Sequence, residues 1–228
     1  MNNRTLGISM IAIATSIALW GEASALRVEV QAPPSTAPAP TTVQEVPAIW
    51  PPQLGKPYPE LTLSNYDGTQ VKLSDFKGKV VIIEPIGMTC PACNAFAGGS
   101  TLGTMQGVER GNMPSFEEDF KREVNNASFD DPNIIHISLL LYNLSMQGPR
   151  VEDAQVWAEH FKLAGRTNHY VLAGGPKLVN TASYAMIPGF QLLDKNGVLR
   201  SDASGHNPHD SLRALLLMVP TLLKEPQQ

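Results

Sequence analysis

Cysteine is almost missing from this chain, with two among 228 residues. A structural zinc site built from four thiolates is therefore excluded. Charge of one sign is also in short supply: 17 Lys and Arg against 21 Asp and Glu leave a formal net charge of -4. Such a balance gives no electrostatic footprint for nucleic acid or for an anionic membrane surface. The apolar stretch near the start, Leu6 to Trp20, falls short of the roughly 20 residues a membrane-spanning helix needs. There are no internal repeats and no heptads. What remains is enough for one core, because 43% of the residues are hydrophobic and 17% charged.

The front of the chain reads as a targeting segment. A polar start with Arg4 leads into that apolar run and then into the small-residue site Ala23-Ser24-Ala25, the order of a cleavable secretory signal over residues 1–25. An uncleaved signal would instead act as an N-terminal membrane tether. Either outcome places the rest outside the cytoplasm, most simply in a periplasm, where disulfides persist. Residues 26–54 are dominated by Pro, Thr and Ala, as in Ala32-Pro33-Pro34-Ser35-Thr36-Ala37-Pro38. They are expected to form an extended linker, with Trp50 either part of it or docked onto the fold, and one domain over 55–228.

Beyond the linker, strand and helix patterns alternate. Leu61-Thr62-Leu63 and Gln70-Val71-Lys72-Leu73 flank Asp67-Gly68 and predict a hairpin. Val80 to Ile83 and Ile134 to Leu141 are continuous apolar runs, as expected of strands buried on both faces. Between them Ser115 and Glu118 have the spacing of a capping box. Ala154, Trp157, Ala158 and Phe161 recur at helical spacing, and Lys195-Asn196-Gly197 predicts a tight hairpin between Gly189–Asp194 and Val198–Asp202. A last helix is expected from Asn207-Pro208 onward, bent or ended by Pro220.

The two cysteines stand as Cys90-Pro91-Ala92-Cys93, just after the first buried strand. Two cysteines placed at random would take that spacing roughly once in a hundred times. A disulfide closing so short a loop removes little unfolded-chain entropy and stabilises weakly, so the pair points to redox chemistry rather than a staple. If Cys90 caps a helix N-terminus, unpaired N–H groups lower its pKa and make it the attacking sulfur. Cys93, one turn inside, is then the resolving thiol.

Strand, CxxC helix, strand, helix, hairpin and helix, in that order, resemble the thioredoxin fold. Leu73-Ser74-Asp75-Phe76-Lys77-Gly78-Lys79-Val80-Val81 is similar to the entry of the central strand in the TlpA/ResA-type and peroxiredoxin-like branches, and Ile187-Pro188 before the last hairpin matches the family's cis-proline site. The resemblance runs from about Gly55 to Leu223, with its middle poorly matched. It implies an α/β fold with a central mixed β-sheet flanked by helices, an N-terminal β-hairpin extension and an insertion after the CxxC helix, between residues 94 and 132.

The resemblance also implies site residues. Glu84, at the expected end of the strand, is placed like the buried acid of thioredoxins and would exchange a proton with Cys93, unless it caps the strand end in water. Ile187 before Pro188 would offer backbone groups to an extended substrate. Met88-Thr89 stands where thioredoxins carry an aromatic residue, which puts Met88 on the expected substrate-facing surface. The implied function is a periplasmic thiol-disulfide oxidoreductase of TlpA/ResA type, leaning to reductase, with no cofactor. Its partners would be a protein disulfide or thiol substrate and a membrane or periplasmic electron-donor thiol protein, with no nucleic acid. The long insertion, with Gly98, Gly99, Gly103, Gly107 and Gly111, is expected to select the partner.

Other classes find less support in the residues. A copper chaperone of SCO type would use the two thiolates with Met88, His169 or the pair His206 and His209 as soft or imidazole donors. That family spaces its cysteines as CxxxC. A peroxiredoxin places Thr three positions ahead of its reactive cysteine, whereas Thr89 abuts Cys90. A c-type haem needs His where Asn94 stands. A peptide-gripping module without turnover would leave both cysteines idle.

Overall fold

The computed structural model describes residues 50–227. The expected signal segment and most of the expected linker lie outside the described residues.

Seven strands form one sheet: β1 (Thr62–Asn65), β2 (Gln70–Lys72), β3 (Val80–Gly87), β4 (Ile134–Tyr142), β5 (His169–Ala173), β6 (Gly189–Leu193) and β7 (Leu199–Ser204). They lie in the order β2-β1-β5-β4-β3-β6-β7. β3, β4 and β5 run parallel, with Val80 opposite Ile134 and His136 opposite His169. The β6–β7 hairpin adds to β3 antiparallel, and the β1–β2 hairpin adds to β5 antiparallel. The expected hairpin extension thus widens the central sheet itself. The three parallel strands are covered on both faces, which is why β3 and β4 read as unbroken apolar runs.

Among the described residues six α-helical segments accompany the sheet: α1 (Pro91–Asn94), α2 (Ser100–Leu102), α3 (Phe116–Glu123), α4 (Val151–His160), α5 (Thr181–Ala185) and α6 (Leu212–Lys224). On one face Phe116 and Phe120 of α3 and Leu215, Leu216, Val219 and Leu222 of α6 pack on Val80, Ile82, Phe190 and Leu192. On the other, Ala154, Trp157 and Ala158 of α4 meet Val81, Ile83 and Ile137. The expected capping box opens α3: the Ser115 hydroxyl accepts from the Glu118 N–H, and the Glu118 carboxylate accepts from the Ser115 N–H.

Several expectations are corrected. β5 was not foreseen; it opens on two polar residues, and its pairing to β4 is non-local. The final helix begins at Leu212 rather than Pro208, because Ser211 supplies the cap through its side chain to the Ala214 N–H at 3.1 Å. It also passes through Pro220 and continues to Lys224, where burial of Val219 and Leu222 on its inner face offsets the bond that Pro cannot make. Trp50 is not linker: it packs on the core and its indole N–H donates to the Ser183 hydroxyl at 2.9 Å. The following residues are held too, by the Gly55 N–H to the Leu199 carbonyl and the Leu199 N–H to the Lys56 carbonyl.

Two adjacent leucines on α6 test this packing. Leu216 is fully buried and Leu217 is 51% exposed. In denaturant titrations Leu216→Ala should lower stability by about 2–5 kcal/mol and Leu217→Ala by less than about 0.5 kcal/mol. Equal losses would mean that α6 does not face the sheet as described.

Candidate redox site

Cys90 is the N-cap of α1, with extended φ/ψ of -78° and 121°. Its sulfur accepts from the Cys93 N–H at 3.4 Å. Pro91 suits the first helical position, where its missing N–H costs nothing. Both cysteines are free thiols; Cys90 is half-buried and Cys93 is 0% exposed. This is the asymmetry that dithiol exchange requires, one sulfur reachable by a partner and the other only by its neighbour.

The electrostatics follow the same division. The Cys93 thiol donates to the Cys90 sulfur, the backbone N–H groups of Cys93 and Ala92 add to it, and His206 contributes a favourable charge, so the Cys90 pKa falls from 9.0 to about 6 against the opposing effect of burial. Cys93 moves the other way, well above the usual thiol value, through burial first and then its bond to Cys90 and the charges of Glu84 and Cys90. At neutral pH the first sulfur is a thiolate and the second keeps its proton.

Glu84 lies inside β3 rather than at its end, since the strand continues to Gly87. It is 7% exposed. Burial, and then the Cys90 charge, raise its pKa well above the ordinary carboxyl value. One carboxyl oxygen, Oε1, is buried without a protein partner. The carboxyl therefore does not cap the strand end at the surface. Pro85 is accommodated because pairing to β6 covers only Val81 to Ile83, so no ladder bond on that side needs its N–H.

The same stretch explains Met88. Val80 and Ile82 face the α3/α6 side, yet Ile86 and Met88 belong to the opposite core. Strict alternation is thus already lost at Ile86, and Met88 follows the end of the strand. Met88 is 1% exposed and cannot meet a substrate as expected. Thr89 stands at the surface instead, its hydroxyl donating to the Met146 sulfur at 3.1 Å, and Met146 is 45% exposed.

The Ile187–Pro188 bond is cis, and the Gly205 N–H donates to the Pro188 carbonyl at 2.7 Å. A Cβ on Gly87 would lie 3.6 Å from Ile187 Cδ1 and 3.8 Å from Cys90 Cβ, so this loop sits against the cysteine. The Ile187 side chain is buried and its N–H already bonds the Tyr184 carbonyl. Of its two backbone groups, the carbonyl is the one left to pair with a visitor.

Asn94, considered in the sequence only as the residue that excludes haem, is the clamp of the site. Fully buried, it donates from Nδ2 to the carbonyls of Met88 (3.0 Å) and Cys90 (2.9 Å) and accepts at Oδ1 from the Met105 N–H (2.7 Å). One side chain thus fixes the turn before Cys90 and ties it to the inserted segment. The CxxC helix is interrupted by a kink at Gly98, which takes φ 104°, open only to glycine at low cost. The insertion returns to α1 at Gly111, where a Cβ would come within 2.9 Å of the Pro91 carbonyl.

Of the copper donors expected beside the two thiols, His206 alone acts on Cys90, through its charge. Met88 faces the core, His169 stacks on His136 with ring centroids 4.6 Å apart, and His209 contacts Asp210. Among the described residues no three His, Cys, Asp or Glu side chains converge on a metal position.

No protein-family model matches this chain, and no curated protein sequence matches it significantly. Solved structures do. A candidate protein disulfide isomerase from Bacteroides thetaiotaomicron aligns with a TM-score of 0.50 at 17% identity, over 76% of this chain and 92% of that one. The thioredoxin domain of a thiol-disulfide oxidoreductase from Bacteroides vulgatus gives 0.46 at 19%, over 75% and 99%. BsSco, a member of the Sco family of cytochrome c oxidase assembly proteins, gives 0.48 at 17%, over 78% and 96%. With the strand order and the placement of the CxxC turn, the first of these likenesses establishes a thioredoxin-like fold.

The thiolate absorbance near 240 nm reports the charge asymmetry directly. The reduced protein should show one thiol ionising with a midpoint of about 6, lost in Cys90→Ser, while Cys93 stays protonated through pH 9. Two thiols titrating together near their ordinary value would contradict the geometry.

Proposed function

We propose that the chain is a thiol-disulfide oxidoreductase acting on protein disulfides outside the cytoplasm, and that it works as a reductase. The observation that carries the reading is the pairing of a half-buried Cys90 thiolate with a fully buried Cys93 thiol one turn along the same helix. The extracytoplasmic setting rests on the N-terminal sequence alone, and the TlpA/ResA affinity on the motifs around Val80 and Pro188.

The Cys90 thiolate attacks one sulfur of a substrate disulfide, forming a mixed disulfide and releasing the first substrate thiolate. Cys90 is then neutral, which removes its charge from beside Glu84 and makes the carboxylate easier to hold. Glu84 gives up its own proton to water, the resulting carboxylate takes the proton of Cys93, and the Cys93 thiolate attacks the Cys90 sulfur. The Cys90–Cys93 disulfide forms, the second substrate thiolate leaves, and two electrons have moved to the substrate. A partner dithiol reduces the disulfide to restart the cycle.

The direction follows from thiolate stability. A more stable thiolate favours the reduced form and makes a stronger oxidant; thioredoxin has a pKa of about 7 and DsbA about 3.5. Cys90 at about 6 lies nearer the reducing end. Substrate would approach over Thr89, Met146 and the Ile187 carbonyl, with the 94–132 insertion beside them selecting the partner.

Single-cysteine variants test the assignment. Cys93→Ser should accumulate a mixed disulfide between Cys90 and a disulfide peptide, seen as an added peptide mass that dithiothreitol removes. Cys90→Ser should form none. Adducts through Cys93, or none in either variant, would overturn the roles given to the two sulfurs.

A further inference from the structure

A cavity of about 320 Å³ lies on the α3 side of the sheet, and Glu84 is part of its wall. The broken helix forms part of its rim, through Phe96, Gly98, Thr101 and Leu102. Ser138, in the middle of the central strand β4, is only half-buried. Glu84, Ser138, His136 and His169 come from three neighbouring strands, with Glu84 opposite Ser138 and His136 opposite His169. Exposed Thr101, Lys121 and Lys162 line the same cavity, so it joins the buried carboxyl to the surface.

Hydrogen-bond accounting defines what the inner wall offers. The Phe129 carbonyl lies 3.0 Å from His136 Nε2 and 3.0 Å from Asn168 Nδ2. A carbonyl only accepts, so Nε2 carries the hydrogen and His136 Nδ1 is a bare lone pair. Asn168 Nδ2 also donates to the Ile134 carbonyl, which leaves its Oδ1 to accept from His169 Nδ1 at 2.8 Å. Both stacked rings are neutral, and burial holds the pKa of His136 down to about 4. Glu84 Oε1 and His136 Nδ1 are both buried without protein partners. Groups of this kind are satisfied by ordered water in a polar space of sufficient size, and at about 30 Å³ per molecule this one has room for several.

We propose that this cavity is the proton passage of Glu84, a hydrated route positioned by Ser138 and His136 that opens away from the substrate-binding surface. Thr89, Cys90, Met146, Ile187 and Pro188 do not line it. A substrate protein docked over Cys90 therefore leaves it open. The proton moves from the Cys93 thiol to the Glu84 carboxylate, then to cavity water and out past Thr101, which restores the carboxylate while Cys93 attacks. His136 accepts hydrogen bonds and orders the water; it does not carry the proton. The route rests on the reading of Glu84 as the proton partner of Cys93.

Single-turnover resolution of the Cys90 mixed disulfide with a disulfide peptide, in the full chain, separates the two ideas. Glu84→Gln should slow resolution by about 100-fold, within the range for loss of an acid–base group. Ser138→Leu, which fills the passage, should slow it by about 10-fold or more, with the reduction potential and the Cys90 titration unchanged. Ser138→Thr, which keeps the hydroxyl, should stay near the wild-type rate. Thr101→Leu narrows the outer end from a surface position and should also slow resolution, so it decides the matter if Ser138→Leu does not fold. Slow Glu84→Gln with both leucine variants at the wild-type rate would overturn the passage and leave the role of Glu84 standing. A normal rate in Glu84→Gln would remove both.

Discussion

The sulfur of Cys90 sits where a helix begins, accepting the Cys93 N–H, and the chemistry of the site depends on that position. A thiolate at a helix cap is stabilised by backbone N–H groups that have no other partner. The same turn of helix carries Cys93 inward, out of reach of anything but Cys90. The rest of the fold keeps the turn in place. β3 delivers it from the centre of the sheet, Asn94 pins the carbonyls of Met88 and Cys90, and the Ile187–Pro188 loop closes against Gly87 and Cys90.

A second feature is the early end of the helix. Gly98 bends it and α2 ends at Leu102. The chain gains two things near the cysteines: an inserted stretch tied to α1 through the Met105 N–H and Gly111, and a polar cavity that reaches Glu84 from behind. Burial raises the pKa of the carboxyl while the cavity borders it.

Much of this was legible in the sequence because it is local. The CxxC spacing, the apolar runs of β3 and β4, the Ser115 and Glu118 box and the Asn-Gly turn each act within a few residues. What escaped depends on contacts between distant segments. Met88 turns inward because the end of β3, from Ile86 on, packs into the core opposite to that of Val80 and Ile82, which no alternation pattern reveals. Trp50 orders the end of the expected linker by bonding a serine 133 residues away. Pro220 is tolerated because the helix around it is buried. Asn94 and the pair His136 and His169 gain meaning only from the hydrogen bonds that β4, β5 and the insertion bring to them.

The central claim is that Cys90 and Cys93 form a reversible couple, and its reduction potential tests this most directly. The protein would be equilibrated across glutathione and dithiothreitol buffers and its free thiols counted by mass after alkylation. A two-electron couple between the thioredoxin value of about -270 mV and the DsbA value of about -120 mV, nearer the former, is the predicted result. A disulfide that resists reduction below about -300 mV, as structural bridges do, or a pair that never closes, would contradict it.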